Sequence, residues 1–250
     1  MSESAVANPL EPLGEDWQRC LAIVAHPDDL EFGAAAAVAR WTGQGKDIAY
    51  CLVTSGEAGI DGMPPDRTRG VREAEQLASA AVVGVDVVDF LGLADGVIEY
   101  GVSLRRELAR VVRRHRPEIV ITNNFRDTWD GAVALNQADH MATGRAVLDA
   151  VRDAGNRWVF TDLLDEGLEP WGGVKQVWAA GSPQAGHGVD VTATFDRGVA
   201  SLEAHEAYLR GLGAGDFDAR EFLEGLGRAA GVRLGVRYGS AFEVFHFDLF

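Results

Sequence analysis

Cys20-Leu-Ala-Ile-Val-Ala-His-Pro-Asp-Asp-Leu-Glu-Phe-Gly33 is the stretch of sequence that decides the fold. Its first part, Leu21 to Ala25, is an uninterrupted apolar run that predicts a buried β-strand. The run ends abruptly in His26-Pro27-Asp28-Asp29, which carries three side chains of the types that bind metal ions. In α/β proteins, ligand sites form in the loops at the carboxyl ends of strands. The segment therefore predicts both a central strand and a functional site.

Short apolar runs alternate with segments of helical periodicity along the rest of the chain. Strands are predicted at 20–25, 47–53, 85–90, 118–122 and 175–180, and helices at 30–43, 68–82, 102–115 and 139–153. Beyond residue 160 the pattern is less regular, with strands at 189–193 and 241–248 and helices near 195–212 and 217–230. The alternation predicts βαβ units and an α/β fold with a parallel sheet. The connections 54–67, 91–101 and 123–138 are long, which is typical of functional loops.

The composition restricts the class of protein and its partners. The chain has 250 residues, and we expect a loose leader at 1–18 followed by a single domain at 19–250. A formal net charge of −15 argues against nucleic acid and anionic membranes as partners. No apolar stretch reaches the ~18 residues of a membrane span. The two cysteines, Cys20 and Cys51, predict buried free thiols in a reducing cytoplasm. The sequence leaves a homo-oligomer open.

Several common site motifs are absent from the sequence. Gly-x-Gly-x-x-Gly does not follow the first strand, and there is no Gly-x-x-x-x-Gly-Lys-Ser/Thr loop for nucleotide phosphates. The Gly-x-Ser-x-Gly motif of serine hydrolases is also missing. The chemistry must therefore come from other residues.

His26 and Asp29 lie three residues apart where the first predicted strand turns into a helix. On such a turn both side chains can bind one metal ion, while Asp28 points elsewhere and stands beside it. Mixed His and Asp ligands, with a nearby carboxylate to take a proton from water, indicate a zinc hydrolase. The alternative is that one aspartate caps the first helical turn, which leaves His26 and the other aspartate unexplained.

A metal site of this kind needs a third protein ligand, and two histidines are candidates. His140 opens a predicted helix on the same edge of a parallel sheet as His26, and Asp139 before it can cap that helix. His187 lies in a later loop, three residues before Asp190, and imitates the spacing of the first ligand pair. We rank His140 first, because Asp190 is expected to begin a strand. His and Asp ligands also admit divalent metals other than zinc.

With these residues in place, the chain resembles the PIG-L/LmbE-like family of zinc-dependent N-deacetylases. The matching motifs are Ala25-His26-Pro27-Asp28-Asp29-x-Glu31-x-Gly33, Thr54-Ser55-Gly56-Glu57-Ala58-Gly59, Arg72-Glu73-Ala74-Glu75, Arg116-Pro117-Glu118-Ile119-Val120 and Asp139-His140. The resemblance implies a Rossmann-like, mostly parallel sheet with helices on both faces, and one zinc ion. It implies His26, Asp29 and His140 as ligands, Asp28 as the general base, and N-acetylglucosamine-type conjugates as substrates.

One position departs from the family pattern. Where the family's His-Pro-Asp-His motif has its first histidine, which helps to stabilise the tetrahedral intermediate, this chain has Gln137. Glutamine can donate a hydrogen bond but cannot carry a charge or transfer a proton at neutral pH. The loss of one oxyanion donor can cost ~10²–10³ in rate. Three explanations are open: Gln137 suffices as a donor, another group such as His187 supplies the acid, or the activity is weak.

Three further residues are candidates for substrate binding. By resemblance, Arg72 points into the pocket and binds a substrate hydroxyl or phosphate, although an isolated helical arginine is more often a surface charge. Asp95 either accepts a sugar hydroxyl or serves as a turn residue. Trp129, between Asp127 and Asp130, either stacks on a sugar ring or anchors its loop.

These observations predict a zinc hydrolase that removes the acetyl group from an N-acetylglucosamine-type sugar conjugate. One alternative is an amidase of thiol–sugar conjugates, which would release a fragment other than acetate. The other is a non-catalytic module that binds a sugar or a metal, and the replacement at Gln137 keeps it open.

Overall fold

The computed structural model describes residues 8–129, 133–212 and 217–247. The strands are β1 (Glu11–Pro12), β2 (Arg19–Val24), β3 (Asp47–Thr54), β4 (Val87–Leu93), β5 (Ile119–Asn123), β6 (Thr128–Trp129), β7 (Ala134–Leu135), β8 (Gln176–Ala180), β9 (His187–Asp190) and β10 (Gly239–His246). The helices are α1 (Ala35–Gly43), α2 (Pro65–Val82), α3 (Val102–His115), α4 (Ala138–Gly155), α5 (Asp162–Asp165), α6 (Phe195–Glu203), α7 (Glu206–Gly211) and α8 (Ala219–Leu234).

Eight of the strands form one sheet in the order β1-β9-β10-β8-β5-β2-β3-β4. Strand β10 is antiparallel to β8 and β9, and the other neighbours pair in parallel. The predicted α/β fold with a mostly parallel sheet is therefore confirmed. Strands β6 and β7 form a separate two-stranded ribbon inside the predicted loop 123–138.

The central strand β2 contributes side chains to a hydrophobic core on each face of the sheet. Cys20, Ala22 and Val24 belong to one core, which is shared with α1, α6 and α8. Leu21 and Ile23 belong to the other, which is shared with α3 and α4. This alternation follows from the two-residue period of a strand and explains why the run is apolar throughout. Helices therefore cover both faces, as the resemblance implied.

Several element boundaries differ from the predictions. The helix predicted at 30–43 begins only at Ala35, because Asp28 adopts a left-handed backbone with φ of 79° and the next residues form turns. The helix predicted at 195–212 is divided into α6 and α7 at His205, whose backbone is not helical. The strand predicted at 189–193 begins earlier, at His187, and the last predicted strand extends beyond the described residues at 248.

The prediction of a loose leader at 1–18 is wrong for residues 8–18. Strand β1 pairs in parallel with β9, and Leu10, Leu13 and Trp17 are buried. The Glu15 carboxylate also accepts hydrogen bonds from side chains of α1. Apolar residues at 10, 13 and 17 attach the segment to the core, whereas residues 1–7 lie outside the described part of the chain. That 19–250 form a single domain stays a prediction.

Within the described residues, no helix is both long enough and apolar enough to cross a lipid bilayer.

Candidate functional site

The site lies at the edge of the sheet where the parallel strands β2, β5 and β8 end. These three strands are adjacent and in register, so the loops that follow them meet at one edge. The loops enclose a cavity of about 770 Å³. His26, Asp28 and Asp29 enter it from the loop after β2, and His140 enters from the first turn of α4.

Three of the predicted ligands converge on a common point in this cavity. The distance from His140 Nε2 to His26 Nδ1 is 3.2 Å, and from His140 Nε2 to Asp29 Oδ1 it is 2.9 Å. His26 Nδ1 lies 3.7 Å from Asp29 Oδ2. Two ligands about 2.1 Å from a tetrahedral zinc ion lie roughly 3.4 Å apart, so the three side chains fit this ion.

The remaining ring nitrogens of the two histidines are held by other polar side chains. His26 Nε2 lies 3.0 Å from Asp95 Oδ1 and 3.2 Å from Asp139 Oδ2. His140 Nδ1 lies 2.9 Å from Asn136 Oδ1. Oxygen acceptors at these positions favour the tautomers in which His26 Nδ1 and His140 Nε2 carry the free lone pairs. Both rings therefore present an acceptor nitrogen to the same point.

The electrostatics of the cavity favour a cation. Burial by itself would lower the pKa of His26, but hydrogen bonds to Asp139, Asp29 and Asp95 raise it to about 12. Burial would raise the pKa of Asp29, yet the neighbouring His140 and His26 hold it below its usual range. Three buried carboxylates around one imidazole form a site in which positive charge is stabilised, which is the charge balance that a divalent metal ion requires.

Asp28 lies beside the ligands in a conformation that directs it away from them. Its left-handed backbone, with φ of 79°, is unusual for a residue other than glycine and is typical of functional sites. The Asp28 backbone N–H donates to Gln76 Oε1 at 3.0 Å, which fixes this turn. Burial raises the pKa of Asp28 to about 7, although the neighbouring Arg72 guanidinium opposes this shift.

Arg72 lines the cavity and is buried, but its guanidinium binds Asp28. Its Nη2 donates a hydrogen bond to the Asp28 carboxylate and another to the Pro27 carbonyl oxygen, the latter at 2.6 Å. The guanidinium also lies 4.1 Å from the centre of the Tyr208 ring. Any Cβ atom at Gly56 would overlap it, which explains a glycine there. Arg72 is thus positioned to hold the charge of Asp28, in addition to its predicted contact with substrate.

Three other predicted residues also line the cavity. Asp95, Gln137 and Trp129 are all part of its wall. The Trp129 ring stands perpendicular to the His140 ring, with centroids 5.8 Å apart. Asp127 is exposed and outside this wall, and Asp130 lies outside the described residues.

His187 is not brought to the site, so its predicted contribution as an acid is wrong. It begins β9, pairs with Phe242 of β10, and lies two strands beyond Ala180, where β8 ends. Its imidazole is 3.7 Å from the Glu11 carboxylate and does not line the cavity. His187 and Asp190 resembled a ligand pair only in their spacing along the sequence. The spacing could not show where β9 lies in the sheet, because that position is set by long-range strand pairing.

Replacement of His187 by alanine should leave turnover close to the wild-type value, because the imidazole does not line the cavity. The measurement is kcat/KM for the metal-loaded variant and wild type side by side. A loss of tenfold or more would return His187 to the reaction.

Four contributors to the site were not recognised in the sequence. Asp139 was predicted to cap α4, but Gln137 occupies the cap position, and the Asp139 carboxylate accepts from the backbone N–H groups of Gly96 and Ile98 and from His26. The other three are Asn136, Gln76 and Tyr208. Gln76 lies four residues after Arg72 on α2, so it shares a helix face with Arg72, and this spacing could have identified it in the sequence.

A buried network of polar side chains contacts the backbone of Asp28 through Gln76. Gln76, which accepts from the Asp28 backbone, donates to Glu31 at 3.0 Å, and Ser79 donates to the same carboxylate at 2.6 Å. His205 is fully buried 3.8 Å from Glu31. Glu31, the acidic residue of the first motif, therefore lies in this buried network and is not part of the wall of the catalytic cavity.

Comparison with known proteins identifies relatives of the chain. The family model described as PIG-L: GlcNAc-PI de-N-acetylase matches residues 21–151. Diacetylchitobiose deacetylase of Thermococcus kodakarensis is 28% identical over 198 residues, which cover 77% of this chain and 70% of that protein. The 1D-myo-inositol 2-acetamido-2-deoxy-alpha-D-glucopyranoside deacetylase of Streptomyces scabiei is 27% identical over 70% of this chain, which spans 59% of that enzyme.

Comparison with solved structures finds the same kind of relative. The solved structure of N,N'-diacetylchitobiose deacetylase from Pyrococcus horikoshii matches with a TM-score of 0.81 and 22% identity, over 93% of this chain and 85% of that one. The family model covers more than half of the chain and includes His26, Asp29 and His140. The chain therefore belongs to the PIG-L family of GlcNAc-PI de-N-acetylases.

Proposed function

We propose that this protein is a zinc-dependent hydrolase that removes the acetyl group from an N-acetylglucosamine-type sugar conjugate. The observation that carries the proposal is the convergence of His26, Asp29 and His140 beside Asp28 in one cavity. The relatives in the family support the reaction class, since their names describe deacetylases of acetamido sugars.

The residues of the chain divide the reaction between them. Zinc held by His26, Asp29 and His140 would lower the pKa of water to roughly 7 and polarise the acetamide carbonyl. Asp28 accepts the proton from the attacking water and returns it to the departing amine nitrogen. Arg72 holds Asp28 in place through the buried ion pair. Gln137 donates a hydrogen bond toward the carbonyl oxygen that becomes negative.

The other polar residues of the cavity wall bind the sugar in this proposal. Asp95 accepts from a ring hydroxyl, and Trp129 places its ring face against the apolar face of the sugar. Asp95 also hydrogen-bonds the Ala58 backbone N–H at 2.8 Å, so it orders the loop after β3 at the same time. We place the enzyme in the cytoplasm, because both cysteines are buried free thiols.

The test is acetate release from a panel of N-acetylglucosaminides, including the methyl glycoside and diacetylchitobiose. The panel is run with the metal-loaded enzyme, after removal of metal by a chelator, and after zinc is restored. Acetate that appears, disappears and returns in these three arms supports the proposal. Release of a different fragment from a thiol–sugar conjugate would identify the amidase instead. Sugar binding without any product would identify a non-catalytic module.

A further inference from the structure

The cavity that holds the catalytic residues has two chemically different walls. One wall carries the charged and polar groups around His26 and Asp28, as described above. The other wall is formed by large apolar side chains, namely Phe32, Leu212, Phe222 and Leu226. A cavity of about 770 Å³ that contains both walls fits an amphipathic ligand.

The part of the apolar wall on α8 is exposed, whereas Phe32 packs against the core. Phe222 is 41% exposed and Leu226 is 49% exposed, although both have large apolar side chains. They lie four residues apart on α8 and therefore share one face of that helix. Phe222 also meets the Phe32 ring edge-on, with centroids 5.5 Å apart. A contiguous apolar surface at the entrance to a catalytic cavity gains free energy when a ligand removes it from water.

The apolar wall continues away from the polar residues. A second cavity of about 400 Å³ shares Phe32, Gly33, Gly181 and Leu226 with the first. Most of its other lining residues, from α1, α6, α8, β10 and the adjoining loops, are alanine, glycine, valine, leucine or phenylalanine, and four polar residues also line it: Glu31, Ser182, Arg233 and Ser240. The small side chains leave space along which a chain can extend beyond the sugar site.

We propose that the substrate carries an apolar aglycone, an alkyl or aryl group on the glycosidic oxygen of the amino sugar, and that Phe32, Phe222 and Leu226 bind it. This inference rests on the proposed deacetylase function. The acetamide group must reach the ligands at the polar wall, and the sugar ring matches Asp95 and Trp129, so the aglycone is the group left to face α8. A second sugar or an inositol would bury hydroxyls without partners against the same wall.

The experiment compares kcat/KM for deacetylation of methyl, butyl and hexyl N-acetyl-β-glucosaminides, together with diacetylchitobiose. From methyl to hexyl, kcat/KM should rise by at least about 10-fold, which is the discrimination that a single methylene group gives in a hydrophobic pocket. A parallel arm lengthens the N-acyl group on the methyl glycoside. A preference for longer N-acyl chains without a preference for longer aglycones would overturn the proposal.

Leu226→Gln makes the apolar wall polar at a position that is half exposed, so folding is expected to be retained. The variant should lose most of the preference for the hexyl glycoside, measured as the ratio of kcat/KM for the hexyl glycoside to kcat/KM for the methyl glycoside. Val232→Gln is the matched control, because Val232 lies on the same helix, is 83% exposed and lines neither cavity. Its chain-length preference should equal that of the wild type.

The outcomes separate this inference from the proposed function. Acetate release that does not depend on aglycone length, or that is highest with diacetylchitobiose, overturns the apolar aglycone and leaves the deacetylase intact. No acetate from any glycoside, including the methyl glycoside, overturns both. A length preference that Leu226→Gln and Val232→Gln change equally would place the apolar contact elsewhere and also overturn the assignment.

Discussion

Replacement of Asp28 by asparagine is expected to lower kcat by about 10²–10⁴-fold, the range that general acid–base catalysis contributes. Asparagine is nearly the same size and still offers an oxygen to Arg72, so we expect the turn with φ of 79° to be preserved by its Gln76 hydrogen bond. The amide cannot accept the proton of water at neutral pH. Metal binding should be retained, because the three proposed ligands are other residues.

The measurement is kcat for acetate release together with the zinc content of the purified variant. Asp89→Asn is a matched control: Asp89 lies on β4, pairs with His115 at 2.8 Å and is outside the cavity. The control should keep the wild-type kcat. An Asp28→Asn enzyme that holds zinc and turns over normally would remove Asp28 from the reaction. An Asp28→Asn enzyme without zinc would show that the residue serves the metal site instead.

In the proposed reaction, the absence of a histidine at position 137 leaves Asp28 as the candidate proton donor as well as the candidate base. Gln137 has extended backbone angles at the start of α4, and its side chain lines the cavity, so it is placed to donate a hydrogen bond. It cannot deliver a proton to the leaving amine. His187 is two strands away from Ala180 and cannot replace it. Within the described residues, Asp28 is thus the group best placed both to remove and to return the proton.

The sequence predicted those features of the site that follow from short segments of the chain and from the geometry of a parallel sheet. The apolar run from Leu21 required a buried strand, and a parallel sheet brings the ends of β2 and β5 to one edge, which is sufficient to pair His26 with His140. The acid partner of Arg72 was not predictable, because it depends on how α2 packs over the loop after β2. The function of Asp139 was missed for the same reason: its partners, Gly96 and Ile98, belong to a distant loop.

Asp139→Asn is expected to weaken zinc binding by about 10–100-fold, the usual cost of losing a carboxylate that orients a metal-binding histidine. The Asp139 carboxylate accepts three hydrogen bonds, from His26 Nε2 and from the backbone N–H groups of Gly96 and Ile98. An asparagine has one acceptor oxygen and an NH₂ group that would face another donor. The imidazole of His26 would lose the contact that fixes its tautomer, whereas Asp95 Oδ1 at 3.0 Å would preserve part of it.

Zinc affinity is measured by competition with a chromophoric chelator, and kcat is measured at saturating zinc. The loss should appear mainly in affinity, since Asp28 and the three ligands remain, so excess zinc should restore most of kcat. Asp149→Asn makes the same change on α4, where Asp149 contacts Tyr100 and Arg145 outside the cavity, and should leave both quantities unchanged. Unchanged zinc affinity in Asp139→Asn would mean that Asp95 alone orients His26. Equal losses in both variants would instead indicate a general destabilisation of α4.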